Sequence, residues 1–123
     1  MTIESVPTAN SETGLLPAVA LFHSLSDPTR LAIVRRLARG EARVADLVTA
    51  LGLAQSTVSA HLACLRGCGL VVGRPEGRQT FYSLARPELL DLLASAEKLL
   101  AATGNAVALC PIYGTEPGSL TRE

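Results

Sequence analysis

Tryptophan is absent from this chain of 123 residues, and aromatic residues make up only 3% of it. Any core must therefore be aliphatic, packed from Leu, Val and Ala. Cysteine occurs three times, an odd and small number that argues against a disulfide framework and suits a reducing compartment. No apolar run approaches the ~20 residues that cross a bilayer. The opening MTIESVPTANSETG has neither a basic n-region nor an apolar h-region, so no secretion signal is expected. These absences lead to the expectation of a soluble, cytoplasmic protein. Histidine is nearly missing too: only His23 and His61 occur, neither with an orienting acid at a motif spacing, and there is no glycine-rich phosphate loop. An enzyme is not expected.

What is present suffices for one domain. Hydrophobic residues are 48% of the chain and charged residues 18%. The net charge of zero conceals a split. Residues 28–78 hold eight arginines against Glu41, Asp46 and Glu76, a balance of +5, and the remainder carries −5. A basic middle between acidic ends fits an electrostatic footprint for nucleic acid, and equally a solvated surface of mixed charge.

The polar residues 1–14 read as a loose arm. LLPAVALFHSL (15–25) predicts a first helix with Val19, Phe22 and Leu25 at helical spacing. SDPTRLAIVRRLARG predicts a second, with Asp27 as N-cap, Pro28 at the first helical position, Gly40 as stop, and Leu31, Val34 and Leu37 inward. VADLVTALG (44–52) gives a short third helix with Val44, Leu47, Val48 and Leu51 inward. QSTVSAHLACLRGCG (55–69) gives a fourth, with Val58, Leu62 and Leu65 inward and Gly69 as stop. Two short helices this close in sequence make a helix-turn-helix pattern. LVVGRPEGRQTFYSL (70–84) alternates around the turn signal PEG and predicts a two-stranded hairpin. PELLDLLASAEKLLAAT (87–103) predicts a last helix with leucines at 89, 90, 92, 93, 99 and 100. They cover more than one stripe, so this helix wants a second partner surface.

The expected fold is mainly α: a winged helix-turn-helix of about five helices and a β-hairpin wing. Residues 1–14 form the arm, 15–102 the DNA-binding and dimerisation domain, and 103–123 a tail that carries Cys110.

Three segments in order, LSDPTRLAIVRRL, LGLAQSTVSAHLACLRGCGLV and GRQTFYSL, resemble the ArsR/SmtB family of metal-responsive repressors over about residues 18–102. HLACLRGCGLVV…EGRQ with a later cysteine is similar to the cadmium- and lead-sensing CmtR branch. The resemblance implies a homodimer joined by its first and last helices. It also implies Cd²⁺ or Pb²⁺ as inducer; soft-sulfur chemistry by itself admits Zn²⁺ or arsenite as well, and the expected working form is an apo dimer that binds operator DNA and is released by the ion. The chain departs from sister branches. EARVADL stands where arsenic and cadmium sensors carry Cys-x-Cys, and the last helix has no His.

Both absences direct the ligand question to Cys64, Cys68 and Cys110. Cys64 and Cys68 lie one helical turn apart on one side, at the edge of the Val58, Leu62 and Leu65 stripe, where half-burial is expected. Cys110 follows the last helix by eight residues, a reach of at most ~27 Å when extended, compatible with delivery in the same subunit or across the dimer. Three thiolates select soft cations. His61, one turn before Cys64, is a possible fourth ligand. Two further readings stand beside the metal site: small core-edge hydrophobes, and a redox dithiol, which the helix C-terminus disfavours by its dipole.

For DNA, the first turns of the fourth helix offer Gln55, Ser56, Thr57 and Ser59 to base edges or phosphates. Ser56 is also an N-cap candidate. His61 can reach a phosphate there and can equally finish packing. Arg74 and Arg78 flank PEG at the tip of the wing.

Overall fold

The computed structural model describes residues 13–109. The expected plan is present: α1 (Leu16–Ser26), α2 (Pro28–Leu37), α3 (Val44–Leu51), α4 (Gln55–Gly67), the antiparallel strands β1 (Val71–Glu76) and β2 (Gln79–Leu84), and α5 (Pro87–Ala102).

Local chemistry starts and stops these elements. Asp27 caps α2, its Oδ2 accepting the Arg30 N–H at 2.9 Å, and Pro28 occupies the first helical position, where no N–H is needed. At α3, Asp46 Oδ2 accepts the Arg43 N–H at 2.9 Å while Arg43 Nη2 donates to Oδ1 at 2.8 Å. These bonds hold the Asp46 carboxyl well below its ordinary range, Arg43 being the cause. Gly52, at φ +68°, ends α3 in the left-handed region that side chains avoid. The axes of α3 and α4 turn through 116°, within the range of a helix-turn-helix.

The core is aliphatic, as the composition requires. Ile33, Val34, Leu47, Val58, Leu62 and Leu65 are its largest fully buried side chains among the described residues. On α2 the inward face is Ile33, Val34 and Leu37, with Leu31 only half-buried. On α3 only Leu47 is buried, and Val44, Val48 and Leu51 pack against the core from its margin.

Helix α1 turns only part of its apolar surface inward. Val19 and Phe22 do not face inward: they are 57% and 59% exposed, beside exposed Leu15 and Leu16. Leu21 and Leu25 pack on the core instead, and Ser24 is buried between them in sequence. A helix apolar on most sides has no single phase to read from spacing, so contact with α2 decides which side turns in.

The wing is set by register. Val71 opposes Leu84, and Glu76 opposes Gln79 across a two-residue turn, Gly77–Arg78. Pro75 and Glu76 therefore belong to β1, and the expected turn PEG is shifted toward Arg78. Gly73 lies under Tyr82 and Thr80 so closely that a Cβ there would stand 2.9 Å from Thr80 Cγ2. Ala42, fully buried, pairs with Tyr82 in both directions, at 3.0 and 2.8 Å. That bridge anchors the wing to the α2–α3 connection.

Beyond α5 the chain turns back. Arg35 donates to the Ala108 carbonyl at 3.3 Å, the Leu109 N–H bonds to Glu97, and Leu109 is buried in the core. The segment has no periodicity that could have announced this.

Candidate nucleic-acid interface and metal centre

Helix α4 starts without a side-chain cap. Its N-cap is Ala54, in an extended conformation, and not Ser56 as one reading of the sequence had it. Alanine is among the poorest N-caps, so the first backbone N–H groups keep no intramolecular partner. Gln55, Ser56 and Ser59 are exposed and Thr57 is half-buried. Among the described residues none of these four side chains makes a hydrogen bond within the chain. Free N–H groups, two hydroxyls, a third beside them and one amide thus share one open helix end. Such an end suits phosphates and base edges alike.

The two wing arginines differ. Arg74 lies partway down β1, opposite Phe81, not at the tip. Its guanidinium donates to Glu41 at 2.8 and 3.1 Å and to Glu76 at 2.5 Å, and its Cζ lies 5.0 Å from the Phe81 ring centre. The two carboxylates raise its already high pKa further, and Arg74 in turn lowers that of Glu41. A cation so paired has little charge left for phosphate. Arg78, in the turn itself, is exposed and has no such partner among the described residues. The three acids of the basic middle are held by Arg43 and Arg74, and Arg78 takes part in none of these ion pairs. Arg78→Ala is expected to weaken DNA binding on every sequence and flatten the log K against log salt slope by about one charge. Binding isotherms at four or more salt concentrations give the slope, and an unaltered one removes the wing from the phosphates.

His61 is half-buried and turned toward the α1–α2 junction. Its Nδ1 lies 3.4 Å from Arg30 Nη1 and 3.9 Å from Asp27 Oδ2. The geometry engages that nitrogen inside the fold, because Arg30 and Asp27 converge there at the start of α2.

Cys64 and Cys68 are both free and exposed, more open than the expected half-burial. Cys68 is the C-cap of α4, yet its N–H still reaches the Cys64 carbonyl at 3.1 Å, so the one-turn spacing survives the helix end. Cys68 Sγ meets the buried Ser24 Oγ of α1 at 2.9 Å. Among the described residues no group of three or more His, Cys, Asp or Glu side chains converges. Cys110 lies outside the described residues. The donor set in view is two sulfurs with no carboxylate beside them, which fits a thiophilic cation needing further ligands and does not fit Mg²⁺ or Ca²⁺.

A family model described as "Bacterial regulatory protein, arsR family" matches residues 27–72, from the cap of α2 to the start of the wing. The chain is 39% identical over 89 residues to a probable mercury resistance operon repressor of Streptomyces lividans, covering 72% of this chain and 71% of that one. It is 45% identical over 82 residues to the HTH-type transcriptional regulator CmtR of Mycobacterium tuberculosis, covering 67% and 70%. Among solved structures it is similar to the homodimeric winged helix-turn-helix DNA-binding domain Mb0332 of Mycobacterium bovis, described as a possible ArsR-family transcriptional regulator. The TM-score is 0.68 and the identity 31%, covering 83% of this chain and 91% of that one.

Proposed function

Because the chain belongs to the arsR family of bacterial regulatory proteins, we propose that it is a transcriptional repressor released from DNA by a soft metal ion. In this reading a metal-free homodimer holds operator DNA and lets go when Cys64, Cys68 and Cys110 close on the ion. The observation that carries it is the position of the cysteine pair. Cys64 stands on the last turns of α4 and Cys68 caps it, at the end opposite the one open to DNA. A change at one end of a rigid rod of 13 residues is felt at the other.

The homodimer reading draws on the exposed apolar stripe of Leu15, Leu16, Val19 and Phe22 on and before α1, with Leu99 on α5. A two-fold dimer through these helices presents two copies of α4 to successive major-groove faces of a palindrome. The thiols supply a soft site, for which Cd²⁺ or Pb²⁺ is the best match, with Zn²⁺ and arsenite as alternatives. The name of the Streptomyces relative adds Hg²⁺ to the trial. Binding requires thiolates, so the response weakens as pH falls. Linkage also requires that DNA weaken metal binding by the same factor that metal weakens DNA binding.

The test is a titration. Reduced protein on a labelled palindrome from its own promoter is challenged with Cd²⁺, Pb²⁺, Zn²⁺, Hg²⁺ and arsenite in turn. Release by at least one, with loss of ~5–150-fold in operator affinity, is expected. A complex that persists against all five, in a chain that binds the palindrome, ends this reading.

A further inference from the structure

The deepest polar side chain near the cysteine pair belongs to α1. Ser24 is 3% exposed and is the one buried polar residue among the described residues. Its hydroxyl faces Cys68 Sγ at 2.9 Å, with either atom able to donate. Its carbonyl accepts from Arg30 Nε at 2.8 Å, and Arg30 Nη1 reaches His61 Nδ1 at 3.4 Å. Ser24 thus touches α4 directly at Cys68 and, through Arg30, at His61. A buried hydroxyl is costly without a partner, so Cys68 satisfies Ser24 as much as Ser24 orients Cys68.

We propose that Ser24 is the positioning residue of the metal site, its hydroxyl holding Cys68 Sγ in place beside Cys64 and tying the liganding sulfur to α1. The inference rests on the reading of Cys64 and Cys68 as ligands. A ligand sulfur at a helix C-cap is attached to the last, least constrained turn, and needs an outside contact to be held in one orientation. Ser24 provides it from a second helix. Bound to a cation, the Cys68 sulfur is an acceptor only, and the serine hydroxyl is then the donor. Outer contacts of this kind are worth about 10–100-fold in metal affinity. Because α1 also carries the exposed stripe assigned to the dimer, the same contact ties the ligand sulfur directly to the helix that would join the subunits.

The experiment compares the full reduced chain with Ser24→Ala and Ser24→Thr, using Cd²⁺ alone and following the thiolate-to-cadmium absorption band. Ser24→Ala removes a single oxygen, and is expected to keep the wild-type band height at saturation while its Cd²⁺ affinity falls about 10–100-fold. Ser24→Thr retains the hydroxyl and is expected to restore most of that affinity. The ¹¹³Cd resonance of saturated Ser24→Ala is expected to shift, since a hydrogen bond to a bound sulfur has been lost. Equal affinities and equal resonances for Ser24→Ala and wild type overturn the proposal. So does an affinity loss in Ser24→Ala with the resonance unmoved, which assigns the effect to packing whatever the threonine variant does. A wild-type chain that develops no band with Cd²⁺ shows a different failure, that of the cysteine-pair reading itself.

Discussion

Cys64→Ser and Cys68→Ser are each expected to bind operator DNA like the wild type and to stay on it when cadmium is added. Neither side chain is part of the core: both thiols are exposed, while Val58, Leu62 and Leu65 bury the inner face of α4. Serine is close to cysteine in size and shape, and the open end of α4 at Gln55–Ser59 is distant in sequence by more than a helical turn. What disappears is a thiolate. An alcohol does not ionise near neutral pH and is a poor ligand for a soft cation, so the coupling of ~1–3 kcal/mol available to the wild type is lost. Fluorescence anisotropy on the labelled palindrome reads both quantities. Cadmium release of either variant at the wild-type concentration would remove the pair from the mechanism. Cys110→Ser belongs in the same series. It is a better test of the tail than truncation after Thr103, because truncation also removes Leu109 from the core and the Ala108 and Leu109 contacts with Arg35 and Glu97.

Phe22→Glu is expected to break the dimer and, with it, operator binding. Phe22 is 59% exposed, in a stripe with Leu15, Leu16 and Val19, and outside the core. The substitution therefore leaves the folded monomer near its wild-type stability. Burial of a large apolar side chain at an interface contributes about 1.5–3 kcal/mol, and a two-fold dimer contains the position twice. Losing both copies lowers the dimerisation constant by about 10²–10⁴-fold, before any repulsion between the new carboxylates. Sedimentation equilibrium measures the constant, and circular dichroism verifies the fold. A variant that sediments as the wild-type dimer places the interface elsewhere.

These two outcomes rest on features of unequal legibility. The cysteine spacing, the Asp27–Pro28 start of α2, the Val58, Leu62 and Leu65 stripe of α4 and the alternation of the wing are short-range patterns. Each is written within a few residues, and each stands in the structure where the sequence put it, save that the turn of the wing falls at Gly77–Arg78 and not at PEG. The third helix and its glycine stop follow the same rule. The open N-terminus of α4 was half legible. The polar run Gln55–Ser59 is plain in the sequence, but which residue caps the helix depends on where the turn before it closes.

The rest required distance in sequence to become distance in space. Val19 and Phe22 share a helical spacing with Leu25, and only packing against α2 shows that the first two face out. Arg74 and Arg78 both flank PEG along the chain, and Arg78 alone lies in the family-like segment GRQTFYSL. Hydrogen-bonded contact with Glu41, 33 residues away, neutralises the first and leaves the second free. His61 reads along the chain as a phosphate contact, a metal ligand or a packing residue until folding brings Arg30 and Asp27 to its ring. Leu109 carries no periodic signal, yet it is buried because Arg35 and Glu97 draw the segment back. The sequence by itself determined the elements, their order, the aliphatic core and the pair of thiols, since these follow from local propensity and spacing. Tertiary structure alone decided which arginine is available, which side of α1 is bare and which hydroxyl meets Cys68, since each of those depends on partners tens of residues apart whose meeting no local pattern encodes.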